Sequence, residues 1–496
     1  MIRLPHSPRP ALLIWMLAAM LLIPAAAQGQ KLTLTLERTI EIAADSSLQA
    51  FRVKNMYQSN YWAYRSFKAA RLPSLSMDIT PASYNRYIRQ RYDSQENIDV
   101  FRAQQVYGAS GSLNITQNFD PLGGTFYLET GVEYLRNFGD MTGNQFSSIP
   151  VRVGYRQNLL GYNAFKWDRK IEPLKFEKAK KQLICDMEGV AETAVSYYFA
   201  LVLAQEEYRL AVDNLAASDT LYITGERRFR IQAISEADLL TLKLDKVNAE
   251  NTLENARMAL KRAKFSLATF LGLDQNADIT VNMPSAPLCR SISSETAIEQ
   301  ARANNPDLLQ HRQNILEAER ELNRTRMESR FNANLNASIG FNQVATTFGG
   351  AFTHPLRQDL VSLSVAIPLV DWGVRKGKVN MARNNLNVVE TAARQEALSV
   401  EEDVVMTVSD YNIQQSLVAS ALEALDLADM AYDRTKQRFM IGKADISALT
   451  LSQTRQQSAT TNYIRALQNY WASYYRLRKL TLYDFDFNRL IDIELE

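Results

Sequence analysis

The sequence predicts an α+β membrane protein of two internal repeats, in which short strands contribute to a shared barrel and very long coiled-coil helices extend from them. Three observations carry this: a gapless self-similarity, paired runs of strict alternation, and proline-poor helical stretches too long for a globule. Residues 210–274 lie over residues 420–484 at an offset of 439 − 229 = 210, with matches at Ala211/Ala421, Asp219/Asp429, Tyr222/Tyr432, Arg228/Arg438, Phe229/Phe439, Leu239/Leu449 and Ala249/Ala459. An upstream echo relates Glu37, Ile40, Glu41 and Ala43 to Glu295, Ile298, Glu299 and Ala301. A period this long is a duplicated half, not a solenoid.

Residues 1–29 read as a secretory signal, with Arg3 and Arg9 ahead of an apolar run from Ala11 to Ile23 and small residues at Ala25, Ala26 and Ala27. The run is too short to span a bilayer of about 30 Å, so it reads as a processed segment. The order that follows is a first repeat over 30–275, a linker over 276–294, a second repeat over 295–484 and a tail over 485–496.

Each repeat reads as helix, strands, long helix, tip turn and return helix. The first helices run from about Leu36 to Arg71, where Pro73 follows, and from about Glu295 to Arg330. Strict alternation comes next. Leu335, Ala337, Ile339 and Phe341 alternate with polar residues, as do Val361, Leu363, Val365 and Ile367, with a Gly-rich connection between them. In the first repeat, Phe126, Leu128, Val132 and Tyr134 form one such run, and Ile149, Val151, Val153 and Tyr155 form its partner. Runs of about ten residues suit tilted transmembrane strands. A solvated antiparallel sheet fits the alternation alone. However, strands so few beside helices so long have no core to cover their apolar side. Two hairpins give four strands per subunit, which is below the roughly eight of the smallest barrels, so several copies must share one barrel. Residues 74–123 remain open between an extra strand and an exposed insertion.

The long helices run from about Lys170 to Ile231 and from about Lys378 to Ile441, roughly 90 Å each. The first return helix carries the seam Leu239, Leu242, Lys246, Ala249, Leu253, Ala256, Leu260, Ala263, Leu267 and Phe270, whose steps of three and four predict a left-handed supercoil. The second carries Ala459, Tyr463, Ala466, Tyr470, Ser473, Leu477 and Leu480.

Composition excludes several functions. The chain holds 56 Lys+Arg and 54 Asp+Glu, and loss of Arg3 and Arg9 with the signal leaves 54 against 54, which argues against nucleic acid as a partner. His311 and His354 have no partner at metal or catalytic spacing, and no nucleophile or phosphate loop appears, so no enzyme, cofactor or metal is expected. Cys185 and Cys289 are too few for a disulfide scaffold; a single bridge and two packed thiols are the alternatives.

The repeat openings Leu36 to Ala43 and Ala297 to Ala301 with Asn304-Asn305-Pro306, the segment Arg71 to Ser76, the strand exit Ile367-Pro368-Leu369-Val370-Asp371-Trp372-Gly373 and the turn Phe439 to Asp445 resemble the TolC family of outer-membrane efflux proteins. Thr125 to Tyr134, and Tyr155 to Trp167 with Asp168 and Arg169, look most like its Bacteroidetes-type members. The resemblance covers essentially the whole mature chain. It implies a homotrimer whose four strands per subunit close one outer-membrane barrel, continued by a periplasmic α-helical barrel. It also implies a passive duct of a tripartite efflux or type I secretion system, working with a periplasmic adaptor and an inner-membrane transporter. The alternatives are a periplasmic coiled-coil scaffold without a pore and a general diffusion porin.

The same resemblance makes the turns Gln232 to Asp238 and Gly442 to Ala448 periplasmic tips. Gln232 stands where a glycine is usual, Ser235 lies in the turn, and Asp238 falls on a family aspartate that helps lock the closed end. In the second tip Gly442 matches the glycine, but Ala444, Ala448 and Leu451 replace charged partners. Asp445, Lys443 and Glu236 are then either substitute latch residues or solvated tip charges. Trp167 and Trp372, each just beyond a predicted strand and followed by basic residues, read either as interfacial anchors or as packed junction residues.

Overall fold

The structure is a computed structural model that describes residues 32–93, 97–138, 142–275, 277–285, 290–441 and 443–493. The expected signal over 1–29, Cys289 and Gly442 lie outside the described residues. The chain divides into two compact units, one of Met1–Phe51, Met187–Ser291 and Asp410–Arg476, the other of Arg52–Asp186, Ile292–Ser409 and Leu477–Glu496.

The elements repeat with the spacing of the sequence. α1 (Leu36–Ser46) and α2 (Leu48–Ala69) are followed by strands, then α3 (Ala164–Arg230) and α4 (Glu236–Leu271). In the second half α5 (Ser294–Asn304) and α6 (Pro306–Glu328) are followed by strands, then α7 (Val374–Met440) and α8 (Ile446–Thr481). α3 and α7 are both 67 residues long, α4 and α8 both 36, and all four boundaries coincide at the offset of 210. The helices expected to run unbroken from Leu36 and Glu295 are each interrupted, at Ser47 and Asn305, and 305 − 47 = 258 is also the offset of their starts, 294 − 36. At Asn305 the cause is local: its side chain accepts from the Asp307 amide at 2.8 Å, and Pro306 opens the new helix, a position where a missing N–H costs nothing. At Ser47 the hydroxyl accepts from the Ala50 amide at 3.0 Å and serves the same purpose without a proline.

In the sheet-bearing unit the strands are β2 (Ser74–Asp93), β3 (Ile98–Phe119), β4 (Gly124–Phe138), β5 (Gly143–Asn158), β7 (Asn332–Ala345) and β8 (Leu356–Ala366). They form one sheet in the order β2-β3-β4-β5-β7-β8, antiparallel at every step. Among the described residues the sheet therefore has six strands where four were expected. β4–β5 and β7–β8 are the two hairpins expected from alternation, and the open segment 74–123 supplies β2 and β3. The chain ends in a small hairpin of β9 (Tyr483–Asp484) and β10 (Arg489–Leu490).

In the other unit, β1 (Leu32–Leu34) pairs in parallel with β6 (Ile279–Val281). α3 holds this pair through Gln205, which donates to Val281 O and accepts from Val281 N, both at 2.9 Å. Tyr198 is fully buried and donates to the Leu34 and Asn282 carbonyls. Its burial in apolar surroundings raises the phenol pKa well above the ordinary value. Of the expected seams, Leu242, Ala249, Ala256 and Leu267 on α4 and Tyr463, Ala466, Tyr470, Ser473 and Leu477 on α8 are buried, while Leu239, Lys246, Leu253, Leu260, Ala263, Phe270, Ala459 and Leu480 are half-buried.

Candidate membrane belt and helical tips

Pleating sends alternate residues of each strand to opposite faces, and the register aligns like with like across the sheet. One face carries Leu75, Met77 and Ile79 of β2 against Ile115, Leu113 and Gly111 of β3, and Ile115 stands opposite Leu128 of β4. The row continues through Val153 of β5 to Ile339 of β7. On β8 the same face carries Val361, Leu363 and Val365. These residues are exposed in the single chain, and an uncovered apolar face of this breadth marks a surface that meets something other than water. The expected alternation through Ile149 breaks at Pro150. The register jumps between Ser148 and Val151, so Ile149 turns away, and Ser148 and Phe146 continue the apolar side.

Aromatic rings bound this belt at both ends. Toward one end Tyr107 and Tyr134 meet edge-on with centroids 6.3 Å apart, Tyr134 and Phe146 lie at 4.9 Å, and Phe146 meets Phe348 at 5.9 Å. Toward the other end Phe119, Phe126 and Tyr155 are linked at 5.9 and 4.5 Å. From Phe126 to Tyr134 on β4 is 134 − 126 = 8 residues, about 27 Å along the strand. At a tilt of about 40° this is about 20 Å across the bilayer, comparable to the roughly 25 Å apolar band between aromatic girdles in outer-membrane barrels.

The opposite face is polar and cross-linked. Arg152 donates to Glu129 at 2.6 Å, Asn114 to Asp78 at 3.0 Å, and Ser74 and Thr116 hydroxyls meet at 2.7 Å. The Tyr127 ring lies across Gly154, where any Cβ would fall 2.2 Å from it, and Arg156 stacks on that ring at 4.4 Å. One face is thus apolar from β2 to β7, with the ion pair of Arg357 and Asp359 interrupting it on β8 opposite Phe341 and Ile339, and the other is polar.

The two tryptophans part company. Trp167, half-buried in the first turn of α3, donates to Asn323 of α6 at 3.3 Å and carries Lys170 over its ring. Trp372 is 95 % exposed, has a left-handed backbone (φ 54°), and lies beside exposed Leu369 and Val370. Next to it Asp371 accepts from the Gly373 and Arg375 amides and pairs with the Arg375 side chain at 2.5 Å, closing the start of α7.

At the first tip the chain leaves α3 through Gln232, which adopts φ 58°, and the Ala233 amide donates back to Arg228 O at 2.8 Å. The Lys443 amide repeats that bond to Arg438 O at 2.8 Å in the second tip. Ser235 and Asp238 form a capping box: Asp238 N donates to Ser235 Oγ at 3.1 Å, and Ser235 N and Oγ donate to Asp238 Oδ2 at 3.1 and 2.8 Å. The Ser235 hydroxyl and amide hold the Asp238 carboxyl below its ordinary pKa. Asp445 accepts from the Ala448 amide at 2.8 Å and caps α8 at the equivalent position. The pattern S-x-x-D marks a helix start. Glu236 is exposed in the first turn of α4. Just behind each tip the helices are tied by a polar pair at matching positions, Lys246 to Asp219 at 2.5 Å and Gln456 to Asp429 at 2.7 Å.

Two outcomes follow from the tip geometry. Because a left-handed residue with a Cβ costs about 1 kcal/mol relative to glycine, Gln232→Gly should stabilise the first tip by about that amount. Slower amide exchange over 230–238 is the measurement. Ser235→Ala should return the Asp238 pKa toward the ordinary carboxylate value. A depressed carboxyl contributes stability above its unfolded pKa and loses it as pH falls through the lowered value. Protection at the start of α4 should therefore fade on acidification in the parent chain and be weak at all pH in the variant.

Among the described residues no group of His, Cys, Asp and Glu is placed to hold a metal ion, and no helix is long and apolar enough to cross a membrane. Cys185 is half-buried on α3 and forms no disulfide among the described residues.

The sheet presents an aromatic-rimmed apolar face, and its hairpins are followed in the chain by paired helices of 67 and 36 residues. Residues 297–481 match the family model described as "Outer membrane efflux protein". Solved structures share the fold. The outer-membrane channel OprN is 14 % identical with a TM-score of 0.64, covering 90 % of this chain and 89 % of that one. The CmeC outer membrane channel of Campylobacter jejuni is 12 % identical with a TM-score of 0.65, at 90 % and 85 % coverage. The outer membrane protein VceC of Vibrio cholerae is 12 % identical with a TM-score of 0.63, at 90 % and 95 % coverage. No curated protein matches the chain by sequence. The family match runs from α5 to the end of α8, and the fold shared with these solved structures covers 90 % of the chain.

Proposed function

We propose that the protein is the outer-membrane duct of an efflux or secretion system, a passive conduit assembled as a homotrimer from two-repeat subunits. The observation that carries this reading is the apolar sheet face bounded by two rows of aromatic rings. Lipid is the medium that such a face accepts without a protein cover. The sheets of the copies close a barrel, polar face inward. α3 and α7, each about 100 Å long at 67 residues, continue it as a periplasmic tunnel. Energy comes from an inner-membrane transporter reached through an adaptor at the tips. The repeat is supported by the shared boundaries of α3 with α7 and of α4 with α8.

Fractionation tests the reading. The duct requires detergent for extraction from outer membranes and runs as an SDS-resistant oligomer; recovery as a soluble periplasmic protein makes it a scaffold instead. Trp372 serves as the interfacial anchor of the barrel exit, which its exposure among apolar neighbours supports. At the tips, Asp238 acts on conductance through the capping box, because its carboxylate is held by Ser235. Asp238→Ala and Ser235→Ala should therefore change single-channel conductance in planar bilayers in the same direction. An effect of Asp238→Ala alone assigns the carboxylate directly to the lumen, as a cation-attracting latch.

A further inference from the structure

The six-stranded sheet has two unpaired edges, β2 and β8. All five ladders between them are antiparallel. β2 and β8 therefore run in opposite directions, and β8 of one copy laid beside β2 of the next continues the same alternation. An odd number of strands would have forced a parallel seam. All eleven residues of β8 are exposed, as are Ser74 to Ala82 of β2. Bare edges are not tolerated in lipid, where no water satisfies the backbone.

The height of the belt sets the register of that seam. Followed strand by strand from Leu75, the ladder passes Ile115, Leu128, Val153 and Ile339 and arrives at Asp359. The apolar positions of β8 on this face are Val361, Leu363 and Val365, so the belt has slipped along β8 relative to the ladder. A belt that lies flat in a bilayer places Leu75 of the next copy level with Val365, which is 365 − 359 = 6 residues further on. Six residues at about 3.4 Å, gained over six strands at about 4.8 Å, correspond to an inclination of about 35°. Barrels close with strand tilts of about 35–45°. Side-chain chemistry chose the register, and barrel geometry, which played no part in that choice, accepts it.

We propose that β8 of one copy pairs with β2 of the next, with Val365 opposite Leu75, Leu363 opposite Met77 and Val361 opposite Ile79, so that each copy gives six strands to a common barrel. The proposal rests on the duct reading and deepens it. In a homotrimer the barrel has 3 × 6 = 18 strands, with β2 and β3 part of the wall. Barrel diameter grows roughly linearly with strand number, and barrels of about 16–18 strands leave an aqueous channel. The bore is then about half again that of a barrel with four strands per copy, and the membrane segment is not where cargo is held back.

Cysteine pairs test the seam on the full-length protein in outer membranes, with Cys185 and Cys289 replaced by serine. Under mild oxidation, Met77→Cys with Leu363→Cys, and independently Leu75→Cys with Val365→Cys, should give covalent dimers and trimers that reduction dissolves. Met77→Cys with Arg357→Cys, six residues out of register, should give none. Two results overturn the proposal. Cross-linking of Leu363→Cys to Thr130→Cys would place β4 at the seam and leave four strands per copy in the wall, with the duct intact. Absence of covalent oligomers from both in-register pairs rejects this seam, and fractionation of the same samples then shows whether the duct reading has failed with it.

Discussion

Leu113→Arg should remove most of the SDS-resistant oligomer from the outer membrane. Leu113 stands opposite Met77 on one side and Thr130 on the other, and Thr130 is midway between Phe126 and Tyr134 on β4, so the substitution puts a guanidinium at the centre of the belt. An arginine on the lipid face at the bilayer midplane costs about 2–4 kcal/mol, and every copy in the barrel carries one. Ser112→Arg, one residue away on the polar face opposite Asp78 and Gly131, should leave assembly near the parent level. Quantitative immunoblots of unheated outer-membrane samples compare the two. Equal loss would mean that β3 is not in a membrane wall.

The second large effect lies in the helical unit. Gly272 ends α4 with φ 71°, and the Leu273 amide donates back to Ala268 O at 2.9 Å, the left-handed closure that glycine adopts without strain. A Cβ there would fall 2.8 Å from the carbonyl oxygen of Ser46, the last residue of α1. Gly272→Ala therefore meets the left-handed penalty of about 1–2 kcal/mol and a backbone clash as well. Gly373 also has a positive φ, 91°, but nothing lies within 4 Å of its Cβ position. Gly373→Ala should show the conformational penalty alone. Thermal unfolding in detergent should place Gly272→Ala below Gly373→Ala by about 5 °C. Equal midpoints would mean that α1 yields without cost.

What the sequence made legible, and what it hid, follows from how far each signal has to reach. The duplication was readable because both copies keep their helix lengths, so one offset aligns α3 with α7 and α4 with α8. The β4–β5 and β7–β8 hairpins announced themselves by local alternation. β2 did not, because the register shift between Thr80 and Ser83, around Pro81, swaps its faces midway. Before the shift the odd positions Leu75, Met77 and Ile79 share the face of Leu113; after it the even position Tyr84 takes their place beside Tyr107. The aromatic rims were hidden for a different reason. Tyr107, Tyr134 and Phe146 belong to three strands, and only the pairing of those strands makes them a row. At the tips the residues were legible but their local role was not, because Ser235 and Asp238 satisfy each other and the first amides of α4.

The most direct test of a membrane duct is which end of the chain faces outside. Thr347, in the β7–β8 connection, and Ser447, in the second tip, are both exposed in the single chain, so a cysteine at either can react if reagent reaches it. On intact cells, an impermeant maleimide should label Thr347→Cys and spare Ser447→Cys, with both labelled after lysis. Protection of Thr347→Cys until lysis would put the whole protein in the periplasm and contradict the account.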